Sequence, residues 1–402
     1  MSALKYWLWL ANLPGAGSQM KLALLEHFGS PEGIYFGEKE EYFLVKGMSR
    51  TAAMALEDKN LEPADRILGD CDRLGLRIMT LRDTEYPDRL RSIFDPPLLL
   101  YVQGRMPRFD EEVGIAMVGT RRASAYAMET GEKLAFQMAG LGAVIISGLA
   151  SGSDAAAHRG ALRAGGFTAA VIGGGHDVVY PRENRRLYED IAARGVILSE
   201  YPPGTEHRGA HFPVRNRIIS ALSLGVVVIE APERSGALIT ADRALDQGRD
   251  VFAIPGQVGD RRCAGSNLLL RDGAGVVTDA WDVLGHYAGQ YPHKIRSLRM
   301  EEPRRFGGAA EARGAEKKPA PEPEPDEPAQ KPLLDLSGGH GLTDDQLRIV
   351  KALDGRTVQV DDLVEETQIP TRRVLSALTV LELDRIVIQE SGKRFSLAVA
   401  LR

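Results

Sequence analysis

Three short stretches carry the residues that could do chemistry. The first is Gly119-Thr120-Arg121-Arg122-Ala123-Ser124, which follows the apolar run Ile115 to Val118 and precedes a helical pattern. Glycine permits a sharp turn, amides at a helix start attract an anion, and a guanidinium grips phosphate with a two-pronged fork. The second, Ser147-Gly148-Leu149-Ala150-Ser151-Gly152-Ser153-Asp154, ends the next apolar run with further small residues. Successive amides there could form a nest for a neighbouring phosphate. The third is His211-Phe212-Pro213-Val214-Arg215-Asn216-Arg217. An aromatic ring beside two arginines suits single-stranded nucleic acid, because the ring stacks a base while the guanidiniums take phosphates. Glu200 and Glu230 end apolar runs near these arginines, so an Arg–Glu network that merely positions loops is the competing reading for Asn216 and Arg217. Ser235-Gly236 to Thr240 and Gly265-Ser266-Asn267 are later Gly/Ser turns of the same kind.

Other chemistries lack their residues. The first turn is not Gly-x-Gly-x-x-Gly, and Gly-x-x-x-x-Gly-Lys-Ser/Thr is absent, so dinucleotide binding and P-loop hydrolysis are not supported. Asp154 and His158 stand four apart and could imitate a hydrolase triad with Ser151 or Ser153. There is no Gly-x-Ser-x-Gly elbow, and Ser153-Asp154 is explained as helix capping. His207 and His211 have proline and glycine around them where a metal-binding helix would be needed. No catalytic set, metal or cofactor is therefore expected. Cys71 and Cys263 are far apart, which suits a reducing cytoplasm. The net charge of −5 argues against whole-chain attraction to nucleic acid but not against a local basic groove. No run of about 18 apolar residues and no export signal is seen, so a cytoplasmic protein without a membrane span is expected.

The elements that must position these residues follow from the pattern. At 402 residues, 44% of them hydrophobic and 26% charged, the chain should form several globular domains. Residues 1–75 read as small helices joined by glycine turns. Leu13-Pro14-Gly15-Ala16-Gly17 could be a helix-hairpin-helix turn that holds phosphate, or only a turn. Residues 76–288 alternate apolar runs with helical patterns, at Ile115–Val118, Ala143–Ile146, Thr168–Ile172, Val196–Leu198, Val226–Ile229, Val251–Ile254 and Val276–Thr278. Runs without polar alternation are buried on both faces, which predicts an α/β fold with an extended, doubly wound parallel sheet rather than a barrel. Asp95-Pro96-Pro97 and the apolar run to Gly104 should add one strand. Residues 289–340 are rich in Pro, Glu and Ala, above all Arg304 to Lys331, and should be a disordered linker. Residues 341–402 read as three short helices and a hairpin around Ser391-Gly392-Lys393, a winged helix; Arg372 and Arg373 against Glu365-Glu366 leave DNA binding and protein docking equally open.

Taken together, the ordered motifs resemble the DNA-processing protein family DprA, also called Smf. They run from Gly119-Thr-Arg-Arg through Ser147-Gly148, His158, Gly173-Gly-Gly-His176, Tyr180-Pro181, Asn184, Ser199-Glu200, Phe212-Pro-x-Arg-Asn-Arg217, Ser235-Gly236 and Pro255-Gly256, with Tyr86-Pro87 and Asp95-Pro96-Pro97 before them. The resemblance implies a helix-hairpin-helix or sterile-alpha-motif-like N-terminal domain, an extended Rossmann-like core and a C-terminal winged helix. It implies no enzyme, but a homodimeric protein that binds and protects incoming single-stranded DNA in natural transformation and loads the recombinase RecA. It places Arg121, Phe212, Arg215 and Arg217 in the DNA pocket, and with the turns read above the expected DNA contacts are Gly119, Thr120, Arg121, Arg122, Ser124, Ser147, Gly148, Gly152, Phe212, Arg215, Asn216 and Arg217. The apolar stretch Leu268-Leu269-Leu270 reads as a dimer or RecA-facing surface, or equally as core packing. One departure is Ser151, where many members have lysine, a phosphate contact that Arg122 could supply. The alternative is a Rossmann-like hydrolase acting on nucleoside monophosphates, although the Pro-Gly-Gly-x-Gly-Thr motif of that group is missing.

Overall fold

The structure is a computed structural model that describes residues 2–295, 333–334, 342–384, 386–390 and 394–401. The proline-rich stretch Arg304 to Lys331, expected as linker, lies outside the described residues, as does the hairpin turn at 391–393. The chain divides into two compact units, Met1–Arg305 and Phe306–Arg402, each treated by itself.

In the first unit, nine strands form one sheet. They are β1 (Arg77–Thr80), β2 (Leu99–Gly104), β3 (Gly114–Val118), β4 (Val144–Ser147), β5 (Thr168–Ile172), β6 (Val196–Ser199), β7 (Gly225–Val228), β8 (Asp250–Ala253) and β9 (Gly275–Val276). The spatial order is β1-β2-β6-β5-β4-β3-β7-β8-β9. The pairs from β6 to β9 are parallel, while β2 is antiparallel to both β6 and β1. Two strands thus extend the edge, where one was expected. β3 shows why the central runs carry no polar alternation. Ala116 and Val118 pack on one face with Ile218, Ile219, Ala241 and Ala244, and Ile115 and Met117 pack on the other with Leu134, Met138, Ala157 and Leu284. A strand covered by helices on both sides has no position that can be polar without burying an unpaired group.

The N-terminal helices share their core with β2. Leu8, Leu24, Ile34, Leu56 and Cys71 pack with Leu99 and Tyr101, so this helical layer covers one face of the antiparallel end of the sheet. At the Leu13–Gly17 turn, the Lys21 ammonium donates to the Ala11 carbonyl (2.5 Å), and burial pushes its pKa down to about 8. It serves the end of the first helix (Ser2–Ala11). At the far end, residues 289–295 are packed rather than linker: Ile295 is buried, Lys294 pairs with Glu112 at 2.6 Å and the Tyr291 hydroxyl accepts from Arg89 at 2.6 Å.

The second unit holds helices Asp344–Ala352, Val360–Thr367 and Thr371–Leu383, and a three-stranded sheet of Val358–Gln359, Arg394–Leu397 and Val387–Glu390. This is a winged helix. Thr343 and Gln346 close a capping box on the first helix. Arg373, at the start of the third helix, pairs with Asp345 at 2.7 Å, and Arg356 pairs with Glu366.

Candidate functional site

β3 and β7 are neighbours, but the helices that follow them pack on opposite faces of the sheet. Helix Ala125–Gly140 joins the Ile115 face and helix Gly236–Asp246 joins the Ala116 face. Where successive connections diverge, a crevice opens at the carboxyl ends of the strands. Here it is a cleft of about 480 Å3, lined by Gly119 to Arg122, Asp154, Phe212, Arg215, Asn216 and the Arg234–Gly236 turn. The first two predicted turns are locked together at its rim. The Thr120 amide donates to the Glu230 carbonyl at 2.8 Å, and the Ser153 amide to the Thr120 carbonyl at 3.2 Å. Gly152 sits at φ +76, and a Cβ there would lie 2.5 Å from the Thr120 carbonyl oxygen, so only glycine lets the turns meet.

Phe212 and Arg215 lie on the first turns of helix His211–Ala221. Pro213 does not interrupt this helix, because in the first turn its missing N–H has no intrahelical partner to lose. Arg215 points to the cleft floor and is 4% exposed. Its guanidinium donates to the Gly148 carbonyl at 2.8 Å and to the Val171 carbonyl, while Nε has no partner among the described residues. Burial lowers its pKa to about 10, against the opposing charge of Asp154, so it stays cationic at neutral pH. A Cβ on residue 148 would strike the guanidinium at 2.5 Å, which makes the second turn a glycine lid over a buried charge. Arg121 is exposed and lies over the Phe212 ring, 4.4 Å from its centroid. Arg122 is also exposed at the cleft. Among the described residues, no ion pair holds either one.

Several expected contacts are corrected. Arg217 is two positions from Arg215, and on a helix that spacing points the side chains to opposite sides. It is 4% exposed and makes a two-pronged pair with Glu200 at 2.7 and 2.9 Å, with Asp95 at 3.1 Å beyond. Arg217 therefore ties the helix to the Asp95-Pro96-Pro97 segment and does not face the cleft. The Ser147 hydroxyl is buried against the Met117 carbonyl (2.5 Å). Ser124 caps its helix and donates to Glu230 (2.5 Å), away from the cleft lining. The Gly148 and Ala150 amides donate to the Asp154 carboxylate at 3.1 and 3.4 Å, so the protein's own anion fills the second nest. Burial raises the pKa of Asp154, an effect the charge of Arg215 opposes. Gly119, Thr120, Arg121, Arg122, Phe212, Arg215 and Asn216 do come together at the cleft. Ser151 donates to Glu183 at 2.7 Å.

The sequence reading missed Arg234, a cation ahead of the Ser235 cap whose only local signal is its place after a strand. It also missed the rings of Tyr180 and His207, which gather near Phe212. His207 had been weighed only as a metal ligand. Its Nε2 donates to the Val178 carbonyl at 2.7 Å, and among the described residues no cluster of His, Cys, Asp or Glu is placed to hold a metal. His158 is buried with Nδ1 on the Thr168 hydroxyl at 2.7 Å, and among the described residues no hydrogen bond joins it to Asp154, Ser151 or Ser153.

Fold and site define a Rossmann-like protein with a cationic, aromatic-walled cleft at the switch point of its sheet, joined to a winged helix. The family model described as DNA recombination-mediator protein A matches residues 77–288, and that of the DprA winged helix domain matches residues 316–393. The chain belongs to the DprA/Smf family. It is 32% identical over 408 residues to "Protein Smf" of Synechocystis, covering 97% of this chain and 98% of that one. It is 40% identical over 241 residues to "DNA processing protein DprA" of Bacillus subtilis, covering 60% and 81%. The X-ray structure of DprA from Streptococcus pneumoniae superposes with a TM-score of 0.63 at 36% identity, over 70% of this chain and 97% of that one. No helix among the described residues is long and apolar enough to cross a membrane.

Proposed function

We propose that this protein is a cytoplasmic, non-enzymatic recombination mediator that binds incoming single-stranded DNA, protects it and loads RecA onto it during natural transformation. The observation that carries the reading is the pairing of an exposed guanidinium with an aromatic face at the mouth of the cleft, Arg121 over Phe212. A single strand offers both of its features there, a phosphate for the cation and an unstacked base for the ring. Arg121 covers the ring at 4.4 Å, so a base reaching Phe212 displaces the guanidinium, which moves onto the phosphate. Arg122 and Arg234 take neighbouring phosphates, and buried Arg215 supplies a fixed positive field beneath. The start of helix His211–Ala221 adds to that field.

The hydrolase alternative finds little support in the cleft. Among the described residues Asp154 is the one carboxylate lining it, and it already accepts two backbone amides, while the Glu230 carboxylate is engaged by Ser124 outside the cleft lining. Incubation with nucleoside monophosphates should release no free base. In the second unit, the Arg373–Asp345 pair neutralises one of the two arginines expected to favour DNA, so we assign the winged helix to protein docking. The working form is a homodimer. We place the contact on helix Ala264–Arg271, where Leu269 and Leu270 pack partly against the core and Leu268 lies beside them half-buried. RecA-driven strand exchange on DNA pre-coated with a single-strand-binding protein tests the assignment. Adding this protein should restore exchange, and no stimulation at any ratio would remove the loading role.

A further inference from the structure

We propose that Tyr180 and His207 extend the Phe212 site into a platform for at least one more unpaired base, so that the strand leaves the cleft past Arg182 and Arg208. The inference rests on the single-stranded DNA reading above and goes beyond the cleft itself. Three rings cluster beside the cleft with related planes. Tyr180 and His207 lie 5.4 Å apart at 27°, His207 and Phe212 lie 6.3 Å apart at 21°, and Tyr180 and Phe212 lie 5.9 Å apart at 36°. Tyr180 is 44% exposed, and no hydrogen bond ties its hydroxyl to a described residue. A tyrosine kept only for packing would bury its face.

His207 is built into the platform as a flat, uncharged surface. Its Nε2 is fixed on the Val178 carbonyl at 2.7 Å, and its ring lies against Gly174, where a Cβ would approach to 2.7 Å. Burial lowers its pKa, with the charges of Arg215 and His211 acting in the same direction and the Val178 hydrogen bond against, so the ring is neutral at physiological pH. A neutral ring accepts any base by stacking, which suits a path without sequence preference. The cations a backbone needs flank the platform in sequence. Arg208 follows His207 and Arg182 stands two residues after Tyr180; both are exposed, and no ion pair holds either among the described residues.

Fluorescence anisotropy with labelled oligothymidylates of increasing length tests this, using the full chain and its Tyr180→Ala, Tyr180→Phe and Phe212→Ala forms. Tyr180→Ala should weaken binding at least about fivefold on long oligonucleotides and leave the shortest bound lengths unchanged, so that affinity stops rising at a shorter length. Tyr180→Phe should bind like the parent, since the ring and not the hydroxyl does the stacking. If Tyr180→Ala matches the parent at every length while Phe212→Ala weakens binding, the platform is wrong and the cleft stands. If the parent itself ignores single strands, the underlying reading fails and the platform with it.

Discussion

Arg121 and Arg215 carry the same charge at the same cleft, and their surroundings give them different work. Arg121 is exposed and held by no ion pair among the described residues, so its contribution should come through phosphate contact and the release of counterions. Arg121→Ala should weaken all single-stranded sequences alike and flatten the slope of log affinity against log salt by about 0.7. An unchanged slope would mean that this guanidinium never reaches phosphate. Phe212 offers a ring face that Arg121 already occupies at 4.4 Å, so a base gains its stacking energy less that of the displaced contact. With stacking worth about 1–3 kcal/mol and an exposed cation–π contact about 0.5–1 kcal/mol, Phe212→Ala should cost about 0.5–2 kcal/mol of binding. Titrations of the folded variant that show no loss would leave the ring a purely structural one. Residue types and order made these two legible in the sequence. The burial of Arg215 was not, because nothing local says that Gly148 closes over its guanidinium.

At the scale of elements, the helix His211–Ala221 accounts for the correction at Arg217. With His211–Ala221 helical from its first residue, Arg215 and Arg217 diverge, and Arg217 becomes the clasp between this helix, Glu200 and Asp95. Removing one side of a buried pair leaves the other unpaired, so Arg217→Ala should lower stability by about 3 kcal/mol in denaturant titrations. A loss below about 0.5 kcal/mol, in the range of ordinary surface changes, would contradict the clasp. The competing Arg–Glu reading of the sequence named the right partner but could not choose it, since the choice depends on which way the helix faces. The second turn differs from expectation for a related reason: Asp154 lies six residues beyond Gly148 and folds back onto its amide, a return that spacing alone does not reveal. Two histidines locked between elements set an acid limit. Burial holds His158 down to about 3 and His176 down to about 4, from an ordinary 6.5. The unfolded chain therefore takes up these protons first, and their stabilisation, complete above about pH 6.5, is lost as pH falls toward 4 and then 3. Melting temperatures followed from pH 7 to pH 4.5 should drop less steeply for His176→Gln than for the parent, and parallel curves would refute the assignment.

For the whole molecule, the alternation of apolar runs and helical patterns was enough to read the parallel sheet and the crevice at its strand ends. The seven core runs all lie on strands or their ends, and the expected winged helix has its three helices and hairpin strands. What the pattern could not give was order. The β6-β5-β4-β3-β7 sequence, which puts the switch point beside Arg121, depends on which face each helix covers. Nor could it show that β1 and β2 run antiparallel and carry the N-terminal helices on one face. This architecture leaves a net charge of −5 on a chain whose cleft is cationic, so specificity for single strands must come from shape and stacking rather than overall attraction. Competition between a labelled single-stranded oligonucleotide and duplex of equal length, across a salt series, tests that most directly. Strong preference for the single strand, with affinity that falls steeply as salt rises, is the predicted result. Equal binding to both, or binding to neither, would contradict the account.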